Sequence, residues 1–98
     1  MSRITFYTAN GAAHGLVALR EAQHALLAQF GGATIQPAHG IWRECDTCAI
    51  AEESSLVITV LTDSASDAAK AAHRLREIFA QTEVLYSVEP VTIGHAQA

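Results

Sequence analysis

The chain has 98 residues, half of them apolar and 16% charged, with a formal net charge of -4. That composition belongs to one globular domain that buries about 65% of its extended-chain surface, and it excludes a charge-rich disordered chain. Six Lys and Arg scattered along an acidic chain leave no basic stripe for a phosphate backbone, so nucleic acid is not an expected partner.

The start, Met-Ser-Arg-Ile-Thr-Phe, lacks a basic leader followed by a long apolar run. No apolar run reaches the roughly 18 residues that a spanning helix needs. The expected location is therefore the cytoplasm, away from any membrane. Two cysteines in such a compartment are expected to stay reduced, as free thiols or as metal ligands.

Ile4 to Thr8 alternates, which predicts a first strand with Ile4 and Phe6 on one face and Thr5 and Tyr7 on the other. After a loop at Asn10 and Gly11, the residues Leu16, Leu19, Ala22, Leu26 and Phe30 follow spacings of three and four. They predict a helix that closes at Gly31 and Gly32, with His14 and His24 off its apolar stripe. Residues 33–43 have strand character around Ile35, Ile41 and Trp42, but Pro37 cannot donate to a ladder and Gly40 invites a bulge. Both features suit an edge strand.

Residues 44–55 are expected to form a long acidic hairpin loop. Leu56 to Leu61 is nearly continuous in branched apolar residues, as a central strand should be. Thr62, Asp63 and Ser64 offer N-cap oxygens, and Ala68, Ala71, Leu75, Ile78 and Phe79 form a second helical stripe. Val84 to Val88 gives a last strand that ends by Pro90, and residues 94–98 form a small-residue tail expected to fray.

The order βαββαβ within residues 1–98 is that of an α+β, ferredoxin-like sandwich: a four-stranded antiparallel sheet ordered 4-1-3-2 with two helices on one face. The other face, with Thr5, Tyr7, Val57, Thr59 and Leu61, is partly apolar and uncovered. A soluble monomer rarely leaves such a face bare, so a C2 homodimer is expected.

The sharpest chemical motif is Cys45-Asp46-Thr47-Cys48. Two sulfurs at this spacing can grip zinc or exchange as a redox pair, and a zinc site would recruit His39, or His95, or a second copy of the motif. Glu44, Asp46, Glu52 and Glu53 oppose a thiolate there, with Arg43 alone in its favour. Tyr7, Trp42 and Tyr86 are the candidates for lining a small-molecule site, against a plain role in packing. A recognition sheet for RNA would need aromatics and a basic residue on the third strand, which Leu56 to Thr62 lacks. No phosphate loop or hydrolase triad is present in the pattern.

Phe30-Gly31-Gly32-Ala33-Thr34, Gly40-Ile41-Trp42, Glu53 ahead of the third strand, and Gln81-Thr82-Glu83-Val84-Leu85 together resemble small uncharacterised bacterial ferredoxin-like proteins. The resemblance spans just over half the chain. It implies the fold and brings no catalytic residue with it. The topology is also similar, more distantly, to ligand-sensing regulatory modules and to dimeric barrel oxygenases. The reading that results is a cytoplasmic, non-enzymatic homodimer that binds a small molecule or a protein. Its alternatives are a metal or thiol site at the CxxC, and a barrel-type oxygenase or isomerase.

Overall fold

The structure, a computed structural model, describes residues 1–9 and 15–97. The expected loop at Asn10 and Gly11, and His14, lie outside the described residues. Four strands, β1 (Ser2–Ala9), β2 (Thr34–Trp42), β3 (Ala51–Thr62) and β4 (Leu85–Pro90), form one sheet, with helices α1 (Gly15–Phe30) and α2 (Ala68–Ile78) between them in sequence. The sheet order is β2-β3-β1-β4 and every pairing is antiparallel, which is the expected 4-1-3-2 order read from the opposite edge.

Register sorts the side chains between the two faces, because residues directly opposite each other share a face. Ile4 lies between Val60 and Val88, and Phe6 between Ile58 and Tyr86. Ile4, Phe6, Leu56, Ile58 and Val60 are buried against both helices. The Phe6 and Tyr86 rings stand 6.1 Å apart at a tilt of 44°, within the range of favourable aromatic contact.

The helices meet this surface with small residues as well as large ones. The expected α2 stripe is buried throughout: Ala68, Ala71, Leu75, Ile78 and Phe79. In α1 the buried residues are Ala18, Ala22 and Leu26, with Leu19, Ala25 and Phe30 packed at the margin. Of the expected stripe Leu19, Ala22, Leu26 and Phe30 face the core, whereas Leu16 is 62% exposed. Alanines at 18 and 25 join Ala22 in carrying the helix close to its neighbours, and periodicity judged by large side chains misses those two. His24 and His73 are exposed.

The ends of α2 also differ from expectation. A 3-10 turn at Ala65–Asp67 precedes the helix, and its N-cap, Asp67, makes no side-chain capping bond. Thr62 Oγ1 instead accepts from the Ser64 N–H at 2.9 Å, and the Gln29 amide of α1 donates to the Asp67 carbonyl at 3.2 Å. At the C-terminus the N–H of Gln81 reaches the Arg76 carbonyl and that of Ala80 the Glu77 carbonyl. This is the Schellman pattern, and it places Ala80 at φ 51°.

The edge strand β2 keeps unbroken register from Thr34↔Thr59 to Trp42↔Ala51, so the bulge expected at Gly40 is absent. Gly40 has another use, because a Cβ there would come within 2.6 Å of Ser55 Oγ. The last described pairing of β1 with β3 is Ala9↔Ser55, whereas β3 continues to Ala51 alongside β2. The two strands thus run on as a ribbon, in keeping with a molecule 51 Å long and 30 Å across. The connecting loop is confined to residues 43–50, and Glu52 and Glu53, expected in a loop, lie in the strand. A ribbon exposed on both sides has no apolar alternation to announce it.

Two substitutions test the helix ends. Ala80→Gly removes a left-handed alanine, and it should raise stability by about 0.5–1 kcal/mol after the glycine's greater unfolded-state freedom is counted. Gly31, at φ 79° after α1, is the converse: Gly31→Ala should cost about 1 kcal/mol. Urea unfolding midpoints measure both, and equal midpoints for the three proteins would contradict the assignment.

Candidate functional site

The helix-free face is built in rows that cross the sheet. Its central row is Leu85, Tyr7, Val57 and Gln36, on β4, β1, β3 and β2. The next row is Ser87, Thr5, Thr59 and Thr34. Beyond it lie Glu89, Arg3 and Leu61, where the Arg3 guanidinium donates through Nε to Glu89 Oε1 at 2.7 Å. Leu85 on the edge strand β4 is 63% exposed, and on the central strands β1 and β3 Tyr7 is 49% and Leu61 46% exposed.

The expected face residues Thr5, Tyr7, Val57, Thr59 and Leu61 therefore do share one surface. Leu85 was not expected there. It directly adjoins Tyr7, and the available signal was its alternation with Val84 and Tyr86, which point the other way.

Tyr7, Trp42 and Tyr86 are not brought together. Tyr86 is opposite Phe6 and so lies on the helix-bearing face. It edges a groove of about 310 Å³ lined also by Ala72, His73, Arg76, Thr82 and Val84. Trp42 is opposite Ala51 and Tyr7 opposite Val57, both on the helix-free face. Six residues of β3 separate those two positions, about 20 Å at the usual strand rise of ~3.3 Å per residue. A cavity between sheet and helices lined by all three, which a barrel-type enzyme would need, is incompatible with this placement.

At the tip of the ribbon Cys45 and Cys48 are joined by a disulfide, with Cα atoms 5.1 Å apart. This corrects the expectation of reduced thiols. The physical reason is local: the loop turns so that the Cys48 N–H donates to the Cys45 carbonyl at 3.0 Å, which brings the two side chains face to face. Bonded to each other, Cys45 and Cys48 offer no thiolate to zinc. His39 does not approach them; its Nε2 lies 3.3 Å from Glu52 Oε1 across the ribbon. Among the described residues no group of three or more His, Cys, Asp and Glu side chains could hold a metal ion. His95 is in the exposed segment after β4.

No family model and no curated protein matches this chain. Solved structures do. A divalent cation tolerance protein, CutA1, from Thermus thermophilus superposes with a TM-score of 0.70 at 18% identity, over 97% of this chain and 88% of that one. A phage SAM lyase in complex with S-methyl-5'-thioadenosine gives a TM-score of 0.66 at 15% identity, over 90% of this chain and 79% of that one. A DUF3240 family protein from Shewanella baltica gives 0.59 at 13% identity, over 99% and 97%. At such low identity the likeness is one of fold. The chain is similar to small ferredoxin-like proteins of the CutA and DUF3240 kind, with the α+β sandwich that its own sequence pattern predicts.

Proposed function

We propose that this chain is a non-enzymatic binding module that works as a homodimer, with the helix-free sheet face as the surface where two copies meet. The observation that carries the reading is the row Leu85, Tyr7 and Val57, flanked by short threonines and Ser87. Isolated exposed apolar residues are ordinary, whereas a contiguous apolar row on a bare sheet marks an interaction surface. The threonines beside it offer low relief, so that a second sheet can approach to the ~10 Å spacing of packed sheets. A two-fold axis through this face would set Arg3 and Glu89, already paired within the chain, at the polar rim where charged groups are tolerated.

The partner or ligand of the assembled module would then use surface that dimerisation leaves free. The groove beside Tyr86 is one such place, on the opposite face and with Arg76 and His73 at its edge. Trp42, on the ribbon, extends the sheet face outward and is 45% exposed. Zinc is not required by this reading. Among the described residues no helix is long and apolar enough to cross a membrane, and the proposed setting is the cytoplasm. The disulfide at the ribbon tip fits that setting only if it opens and closes there, since cytosolic dithiols are normally kept reduced.

The reading makes two measurable statements. Static light scattering at micromolar concentration should return twice the chain mass of 10.4 kDa; a monomer would overturn the dimer. Leu85→Asp places a charge in the central row without opening a cavity, so it should weaken dimerisation by roughly ten-fold or more while changing monomer stability by only about 0.5 kcal/mol. A dimer unaffected by this change would move the interface off this face.

A further inference from the structure

We infer that the Cys45–Cys48 disulfide is a reversible thiol–disulfide exchange site, open at the tip of the β2–β3 ribbon to small thiols of neutral or positive charge. This inference is independent of the self-association proposed above. The central row of the helix-free face lies about 23 Å from the loop, judged from the seven steps between Val57 and residue 50 at ~3.3 Å each.

Position argues first. Cys45 is exposed and Cys48 only partly buried, and neither belongs to the core. An incoming thiol therefore meets no packed side chains on its way to sulfur, and access is one of the conditions that separate exchangeable disulfides from inert ones.

What the bond does for the fold argues second. It closes a loop between residues three apart in sequence. The restraint that a cross-link places on the unfolded chain grows with the loop it closes, so this one contributes near the minimum. The turn is also held without it, by the Cys48 N–H on the Cys45 carbonyl and by Arg43 Nη1 donating to the Asp46 carbonyl at 3.2 Å. Opening the S–S bond should leave that turn standing and the two sulfurs still close. Such a pair closes again within one chain and does not wander to another.

Local chemistry argues third. The Thr47 hydroxyl lies 3.5 Å from Cys45 Sγ and can donate to that sulfur when it becomes a thiolate. Glu44 and Asp46 flank the same sulfur in sequence, with Arg43 as the one nearby cation in the loop. Their field repels an anionic thiol and leaves a neutral or cationic one unhindered.

The exchange balances with a dithiol as the co-reactant. One dithiol sulfur, as thiolate, attacks Cys45 Sγ. The S–S bond breaks, and Cys48 Sγ leaves with the electron pair and takes up a proton. The second dithiol sulfur, also as thiolate, then attacks the first in the mixed disulfide and displaces Cys45 Sγ, which is protonated in turn. The chain gains two electrons and two protons, and the dithiol departs as a cyclic disulfide.

The test uses the intact protein. Incubation with dithiothreitol in the absence of denaturant should expose two thiols per chain, counted with a chromogenic disulfide reagent and seen as a gain of two hydrogens in the intact mass, with an unchanged far-UV circular dichroism spectrum. Removal of the reductant and addition of bis(2-hydroxyethyl) disulfide, a neutral linear disulfide that leaves as two molecules of 2-mercaptoethanol, should restore the intrachain bond. Thiols that appear only in denaturant, loss of the native spectrum on reduction, or reoxidation to cross-linked chains would each overturn the proposal. The charge preference is read on the Cys48→Ser variant, which leaves Cys45 alone. Cystamine, a cationic disulfide, should modify it roughly ten-fold faster than dithiodiglycolate, an anionic one, at low ionic strength, and the ratio should shrink as salt screens the loop. Equal rates, or a ratio insensitive to salt, would remove the charge selectivity from the proposal.

Discussion

The burial of one face of a four-stranded sheet beneath two alanine-rich helices is the contact on which the rest of this molecule depends. Ile4, Phe6, Ile58 and Val60 are inaccessible to water, and the helices reach them through Ala22, Leu26, Ala71 and Leu75. Because strand side chains alternate, fixing Ile4 and Phe6 inward fixes Thr5 and Tyr7 outward. The same step in β3 sends Val57, Thr59 and Leu61 to the bare face, and in β4 Leu85. A slip of one residue in any of these strands would exchange core for surface, so the interaction face is set by the core and not chosen separately from it.

Two strands outrun this arrangement. The β2–β3 ribbon has no described strand beside it past Ser55, and no helix is needed to form it, because its backbone groups pair along the hairpin. Its side chains, Ile41, Trp42, Glu52 and Glu53 among them, are exposed on both sides. The ribbon thus carries the loop with Cys45 and Cys48 away from the body of the sheet. Chemistry placed there is separated from folding: little of the core's stability depends on the state of those sulfurs.

The element order, the edge position of β2 and the uncovered face were legible because each rests on a local pattern. Alternation marked β1, branched apolar residues marked β3, and a long apolar stripe marked α2. Pro37 pointed to an edge strand before any pairing was known. The first residues of β3, Ala51 to Ser55, were not legible as strand, since a ribbon wet on both sides carries no contrast between faces. Nor was the full packing face of α1, where Ala18 and Ala25 pack beside the expected Leu19, Ala22, Leu26 and Phe30 and Leu16 does not. Tyr7, Trp42 and Tyr86 looked alike as aromatic candidates, and only register separates them, by face for Tyr86 and by distance along β3 for Trp42.

By itself the sequence determined the fold class, the order of strands and the existence of a sheet face without helices, because hydrophobic periodicity and turn chemistry act over a few residues. Tertiary structure alone decided three further matters: which side chains stand in one row across different strands, how far the hairpin projects, and that Cys45 and Cys48 are bonded to each other. Those are relations between residues distant in sequence or governed by a loop's turn, and they follow from strand register and backbone geometry, which composition and spacing do not encode.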